Sequence, residues 1–157
     1  PVELMTDLNQ TLYDDLTRAE LFITMFYMQF DPKTRLARFS SAGHSPPVYY
    51  QRSNRQCLLL DAEGLIIGVK RDFPYEQQEI NLADGDLLLL YTDGIIEASN
   101  DLGEMFGEQR LMGLVQEHHL LPAQEIIESI IQQVRLFSGR HHFNDDVSLV
   151  VMKIVGD

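Results

Sequence analysis

The sequence predicts an α+β domain in which antiparallel sheet carries its helices on the outside. Three observations predict this. The chain has 157 residues, 45% hydrophobic and 23% charged, which suits a single domain over residues 1–157. Its segments run helix, about six strands, two helices, one strand. Most of the strands are joined by turn chemistry too short for a crossover helix, so neighbouring strands run antiparallel.

Met5, Leu8, Leu12 and Leu16 recur at helical spacing among Asp7, Asn9, Asp14 and Asp15, and predict a helix over about 2–17 with Pro1 at its start. Leu21 to Phe30 is aromatic and aliphatic on both faces and reads as a buried strand, with Phe22, Phe26 and Phe30 as core residues. Asp31-Pro32-Lys33-Thr34 is a turn, and the chain returns through Leu36, Arg38 and Phe39. After Pro46-Pro47, Val48–Gln51 and Cys57–Leu60 predict a hairpin around Ser53-Asn54. Gly64 and Gly68 bracket a short apolar piece. Tyr75–Leu82 reads as a strand, Asp84-Gly85 as a tight turn, and Leu87–Tyr91 as a short buried strand. Leu111, Leu114 and Val115 mark one helix. Ile126, Ile127, Ile130, Ile131, Val134 and Phe137 mark another, with Pro122 at its start and Gly139 past its end. The segment over about 147–154 reads as the last strand.

Charge and composition exclude several function classes. Twelve basic against twenty-four acidic residues leave a net charge of −12. A polyanion without a basic run repels phosphate backbones and anionic bilayers, so neither nucleic acid nor membrane is expected as a partner. The longest aliphatic run, Leu87–Leu90, is far below the ~18 residues of a membrane span, and no signal peptide is evident. A single cysteine, Cys57, excludes an intrachain disulfide framework and fits a reducing, cytoplasmic compartment, with the thiol as an apolar filler.

Four constellations carry polar chemistry. Tyr91-Thr92-Asp93-Gly94 places a carboxylate at a strand end, followed by a residue that lets backbone approach closely. Asn144-Asp145-Asp146 stands just before the last strand. Successive side chains on extended chain alternate faces, so one aspartate of that pair joins a given site directly and its neighbour does not. Two carboxylates from separate elements repel by roughly 4 kcal/mol at 4 Å and an effective dielectric near 20. A hard divalent cation removes that repulsion. Both motifs also read as an ordinary Asx turn and a solvated acidic loop. Ala42-Gly43-His44-Ser45-Pro46-Pro47 is a polar break whose His44 reads as a structural hydrogen-bonding residue; Ser45 is not expected to be a nucleophile. His118-His119 and His141-His142 lack zinc spacing, and the first pair suits the negative end of a helix dipole. Asp61, Glu63, Asp84 and Asp86 read as solvated loop charges.

Taken in order, these pieces resemble a known family. Phe22-Ile23-Thr24-Met25-Phe26-Tyr27, Ala42–Pro47, Gly64-Leu65-Ile66-Ile67-Gly68, the block Asp84–Ala98 and Asn144-Asp145-Asp146-Val147-Ser148-Leu149 are similar to the PPM-type (protein phosphatase 2C-like) serine/threonine phosphatases, in their bacterial SpoIIE/RsbU branch. The Asp84–Ala98 block is the specific part, and the resemblance spans the chain. It implies an antiparallel β-sandwich flanked by helices in α-β-β-α layers. It also implies a two-metal Mn²⁺ or Mg²⁺ centre whose activated water attacks the phosphorus of a phosphoserine or phosphothreonine. Asp93 matches the ligand of the family's Asp-Gly pair, and Asp145 the ligand of its C-terminal motif with Asp146 beside it. Catalytic and metal roles are therefore expected of Asp93 and Asp145, and a metal role of Asp146. The implied substrate is a phosphorylated bacterial signalling protein of the anti-sigma-factor antagonist type, and the implied attachments are sensor or receiver domains.

One departure qualifies the expectation. Nothing in residues 1–20 matches the family's front Gly-Asp motif, whose aspartate bridges both metals, and the chain starts at Pro1. It is therefore expected to be an N-terminally incomplete portion of the phosphatase domain, weak or inactive alone. The competing expectation is a pseudophosphatase module of a response regulator that binds a partner without turnover. Uncovered edges and apolar faces on the 21–30 and 147–154 strands predict a homodimer.

Overall fold

The computed structural model describes residues 1–140 and 142–156. Its elements are α1 (Val2–Ala19), β1 (Met25–Asp31), β2 (Leu36–Ala42), β3 (Val48–Gln51), β4 (Gln56–Leu59), β5 (Gln78–Asn81), β6 (Leu87–Tyr91), α2 (Gly107–His118), α3 (Ala123–Ser138) and β7 (Leu149–Lys153). This is the expected order, a mixed α+β arrangement of antiparallel sheets with helices packed on them. The chain gathers into two compact units, Pro1–Pro46 with Asp61–Leu82, and Pro47–Leu60 with the residues from Ala83 onward.

The first unit holds a three-stranded sheet in the order β1-β2-β5, antiparallel throughout. The apolar stripe of α1 puts Met5, fully buried, against Ala42, Ile67 and Tyr75, with Leu8 and Leu16 beside them. On the polar side of that contact, Asn9 is buried and acts as a clamp. Its amide donates to Lys70 O (2.8 Å) and Arg71 O (2.7 Å), while its Oδ1 accepts from Gly68 N (2.9 Å). A buried amide satisfied on both ends fixes α1 against the loop. Arg38 of β2 pairs with Glu79 directly opposite on β5 at 2.7 Å.

Two strand expectations in this unit need correction. The strand after α1 starts at Met25, and Leu21 and Phe22 are 61% and 63% exposed. The helix ends on Glu20 in the left-handed region (φ 56°), with Leu21 N donating to Leu16 O, so residues 21–24 are spent leaving the helix. Only Ile23 touches sheet-like pairing, as a lone bridge to Ile67. Strand β5 is Gln78–Asn81, shorter than the expected 75–82. Tyr75 instead turns into the core, edge-on to Phe73 at 5.1 Å.

The second unit holds a four-stranded antiparallel sheet, β4-β3-β6-β7. β6 is an inner strand, and Leu87, Leu88 and Leu89 are all fully buried, as a continuous aliphatic run requires. Val48, Tyr50, Leu87, Leu89 and Tyr91 from the sheet pack with Leu111 and Val115 of α2 and with Ile126, Ile130 and Val134 of α3. Those helix residues fall at i, i+4, i+8 spacing, one stripe facing one sheet face. Pro122 and Gly139 flank α3 as expected. The last strand is shorter than 147–154, because Ser148 N bonds the Thr92 hydroxyl (2.9 Å) where a ladder partner would stand.

Cys57 behaves as the filler expected. Burial pushes its thiol up to about 11, and its Sγ lies 3.6 Å from Met112 O. At pH 8 roughly one molecule in a thousand then carries a thiolate. Native protein should react with Ellman's reagent about 100-fold more slowly than the chain in urea; equal rates would show that the thiol is not shielded.

Candidate carboxylate site at the end of β6

Antiparallel pairing decides where this site lies. β6 and β7 pair from Leu87↔Lys153 to Tyr91↔Leu149. The C-terminal end of β6 therefore adjoins the N-terminal start of β7, and the residues just past each, Asp93 and Asp145-Asp146, arrive at one end of one sheet. Three hydrogen bonds through Thr92 hold the two segments together. Its N–H donates to Ser148 O (3.2 Å), its hydroxyl donates to Asp146 O (2.8 Å), and the same hydroxyl accepts from Ser148 N (2.9 Å). After Asp93 the chain coils into a turn closed by Glu97 N to Asp93 O at 2.9 Å.

Gly94 is required by proximity. A Cβ built there would lie 2.8 Å from Asp146 O and 3.2 Å from Val147 Cγ2. The missing side chain lets the two acidic segments touch backbone to backbone. Asp93, Asp145 and Asp146 are exposed, and Asp145 Oδ1 accepts from Asp146 N at 2.7 Å. The three carboxylates are thus open to solvent at this end of the sheet.

In kind, these donors suit a hard divalent cation, which prefers carboxylate oxygen. In number they fall short: among the described residues no three His, Cys, Asp or Glu side chains come together to hold a metal. The fit is therefore partial.

The remaining sequence candidates separate. His44 shares a 3.3 Å hydrogen bond with the Thr24 hydroxyl through Nδ1, the structural role expected. His119 stacks on Tyr50 at 4.6 Å and bonds Gln116 O, at the C-terminal end of α2. His141 lies outside the described residues. Asp86 overturns its expectation: it is 1% exposed and accepts three hydrogen bonds, from the Tyr49 hydroxyl (2.7 Å), Arg52 N (2.9 Å) and Ala83 N (2.8 Å). It anchors the turn that launches β6. Sequence reading also missed Thr92, whose only signal was its place before Asp-Gly.

The family model described as Stage II sporulation protein E (SpoIIE) matches residues 1–155. Phosphoserine phosphatase RsbU of Bacillus subtilis is 29% identical over 153 residues, covering 98% of this chain and 45% of RsbU. Phosphoserine phosphatase RsbP of the same organism is 24% identical over 157 residues, covering 98% of this chain and 37% of RsbP. This chain thus spans less than half the length of either relative. Among solved structures, the SiaA-PP2C domain of Pseudomonas aeruginosa superposes with a TM-score of 0.85 at 21% identity, over 98% of this chain and 61% of that one. That likeness establishes a PP2C-like fold. No helix among the described residues is long and apolar enough to cross a membrane.

Proposed function

Since the chain belongs to the SpoIIE family, we propose that it forms part of a phosphatase domain that removes phosphate from phosphoserine or phosphothreonine on a bacterial signalling protein, an anti-sigma-factor antagonist by resemblance. The observation that supports this reading is the β6–β7 register, which sets Thr92 and Gly94, on either side of Asp93, against the backbone of Asp146. Asp93 and Asp145 would hold a Mn²⁺ or Mg²⁺ ion, with Asp146 adjoining. The ion, when bound, supplies the charge that draws electrons from the phosphoryl group. The chain's own contribution is positional. Thr92 fastens the end of β6 to the segment before β7, and Gly94 lets the two backbones approach closely. By resemblance, further donors belong to the family's front Gly-Asp motif.

In the full-length protein, Asp93→Asn and Asp145→Asn should each lower Mn²⁺-dependent phosphate release from a phosphoserine protein about 100-fold or more. The isolated chain should show little turnover. Undiminished hydrolysis in either full-length variant would refute the assignment. A second reading is favoured by the absence of three converging ligands among the described residues: a module that binds its phosphorylated partner without turnover. A full-length protein that binds such a partner tightly and releases no phosphate with Mn²⁺ would establish it.

A further inference from the structure

The turn that follows Asp93-Gly94 leads into a hairpin whose two ends differ in character. Its foot belongs to the core. Ile95 and Phe106 are buried, and the Phe106 ring stands edge-on to Phe137 of α3 at 5.4 Å. Phe106 N donates to Ala98 O (2.8 Å) and Gly107 N to Ile96 O (2.9 Å), which closes the two arms. Arg110 of α2 clamps the return arm, its guanidinium donating to Met105 O (3.0 Å) and Phe106 O (2.8 Å). The tip is apolar and bare. Leu102 is 84% exposed, the most of any large hydrophobic residue among those described, and Met105 is 61% exposed.

The tip is also held in shape by its own groups. Asn100 Oδ1 accepts from Leu102 N and Glu104 N, each at 3.0 Å, and the Asn100 amide donates to Glu104 Oε2 at 3.0 Å. Asn100 N donates to Glu104 O and Gly103 N to Asn100 O, again at 3.0 Å, with Gly103 in the left-handed region at φ 78°. Both apolar side chains are thus carried on ordered backbone before anything docks, and a partner meets little ordering cost there. The foot adjoins the carboxylate site. Ala98 and Ser99 line one small cavity with Arg140, His142 and Asn144, and Asn144 is the neighbour of Asp145. From Ala98 to Leu102 the arm spans about 10 Å.

We propose that this hairpin is the recognition element for the phosphoprotein, with Leu102 and Met105 seating an apolar side chain of the partner while its phosphoserine stands at Asp93 and Asp145. That role rests on the phosphatase reading and adds which substrates are taken. Charge narrows the occupant. Asp101 and Glu104 flank the apolar pair, whereas the nearby basic residues Arg110, Arg140 and His142 lie at the foot. The tip therefore suits an apolar side chain with a lysine or arginine next to it, about three to five residues from the phosphoserine in an extended partner. A second copy of this chain would instead set Asp101 and Glu104 against the same acids.

The test uses the full-length protein with Mn²⁺ and a pool of phosphoserine peptides randomised over about six residues on either side. The control substrate is p-nitrophenyl phosphate, which has no flanking residues. In kcat/KM, the wild type should favour peptides that pair an apolar residue with lysine or arginine over glycine- and serine-flanked ones by about tenfold. Leu102→Ser combined with Met105→Ser should abolish that preference, mainly through KM, and change p-nitrophenyl phosphate hydrolysis by less than about twofold. Asp101→Lys should move the preferred neighbour from basic to acidic. A wild type that cleaves p-nitrophenyl phosphate but ignores the flanks, a double variant that keeps the preference, or one that loses both substrates alike would overturn the proposal. If neither substrate is hydrolysed, the phosphatase reading fails, and binding to the same peptides decides. A flank preference lost in the double variant would then sustain the hairpin's role, and indifferent binding would overturn it.

Discussion

Gly64→Ala is expected to lower the melting temperature by about 10 °C or to prevent folding of the first unit. The new Cβ would stand 1.7 Å from Ser41 O and 2.7 Å from Ser41 C. Those are backbone atoms of β2, in a stretch where Phe26 pairs with Ser41 and Met25 with Ala42. Strand β5 covers only Leu36 to Phe39 on the other side, so it is the 64 loop that presses on the uncovered end of β2. Relief requires pulling the loop off the strand or breaking the β1–β2 ladder. A steric conflict between two backbone segments costs about 3 kcal/mol or more. For a chain of this size each kcal/mol is worth roughly 2–4 °C. Gly113→Ala is the control. It lies inside α2 with nothing within 4 Å of its built Cβ, so helix propensity alone acts there and should stabilise by about 0.5–1 kcal/mol. Thermal melts of the two variants should move in opposite directions; equal melting temperatures would show that the close approach at Gly64 is not tight.

Asp86→Ala should cost about 3–5 kcal/mol, read from urea denaturation. The carboxylate is 1% exposed, and its removal strands the buried Tyr49 hydroxyl together with two part-buried backbone donors, Arg52 N and Ala83 N. Burial, and then the bond to Asp86, raise the Tyr49 hydroxyl well above its ordinary value, so it stays protonated and donates. Tyr49→Phe removes a donor along with its bond and should cost only about 1 kcal/mol. Asp86→Asn turns an N–H₂ toward at least one N–H or O–H donor and should fall between the two. Combined with Tyr49→Phe, it should cost less than the sum of the single changes, because the conflict with the hydroxyl is gone. Strict additivity would mean that the two side chains do not act through one another.

How far these features were legible depends on the distance over which they are encoded. The β6 strand, the 48–59 hairpin and α3 follow from local pattern. An aliphatic run between turn signals, two short runs around Ser53-Asn54, and a 3.6-residue stripe between Pro122 and Gly139 each contain their own instruction. Leu21–Ile23 shows the limit of such patterns. Their β-propensity is genuine, yet the left-handed exit at Glu20 consumes them in a connection, and propensity carries no information about where a helix releases the chain. Asp86 shows the same limit for charge. Next to Asp84 it reads as a second turn carboxylate, while its fate is set by a tyrosine 37 residues away in sequence.

By itself, then, the sequence determined the order of elements, the antiparallel α+β class, the acidic character that sets aside nucleic acid, and the identity of the aspartates worth watching. Only the tertiary structure decided that Gly94 touches Asp146, that Thr92 fastens the two segments, that Asp86 is an anchor, and that Gly64 must remain glycine. The physical reason is common to all four. Periodicity and turn chemistry are summed over neighbours in the chain and survive in the bare sequence. Contacts between residues tens of positions apart exist only after the sheet register and the burial of both partners have been set together.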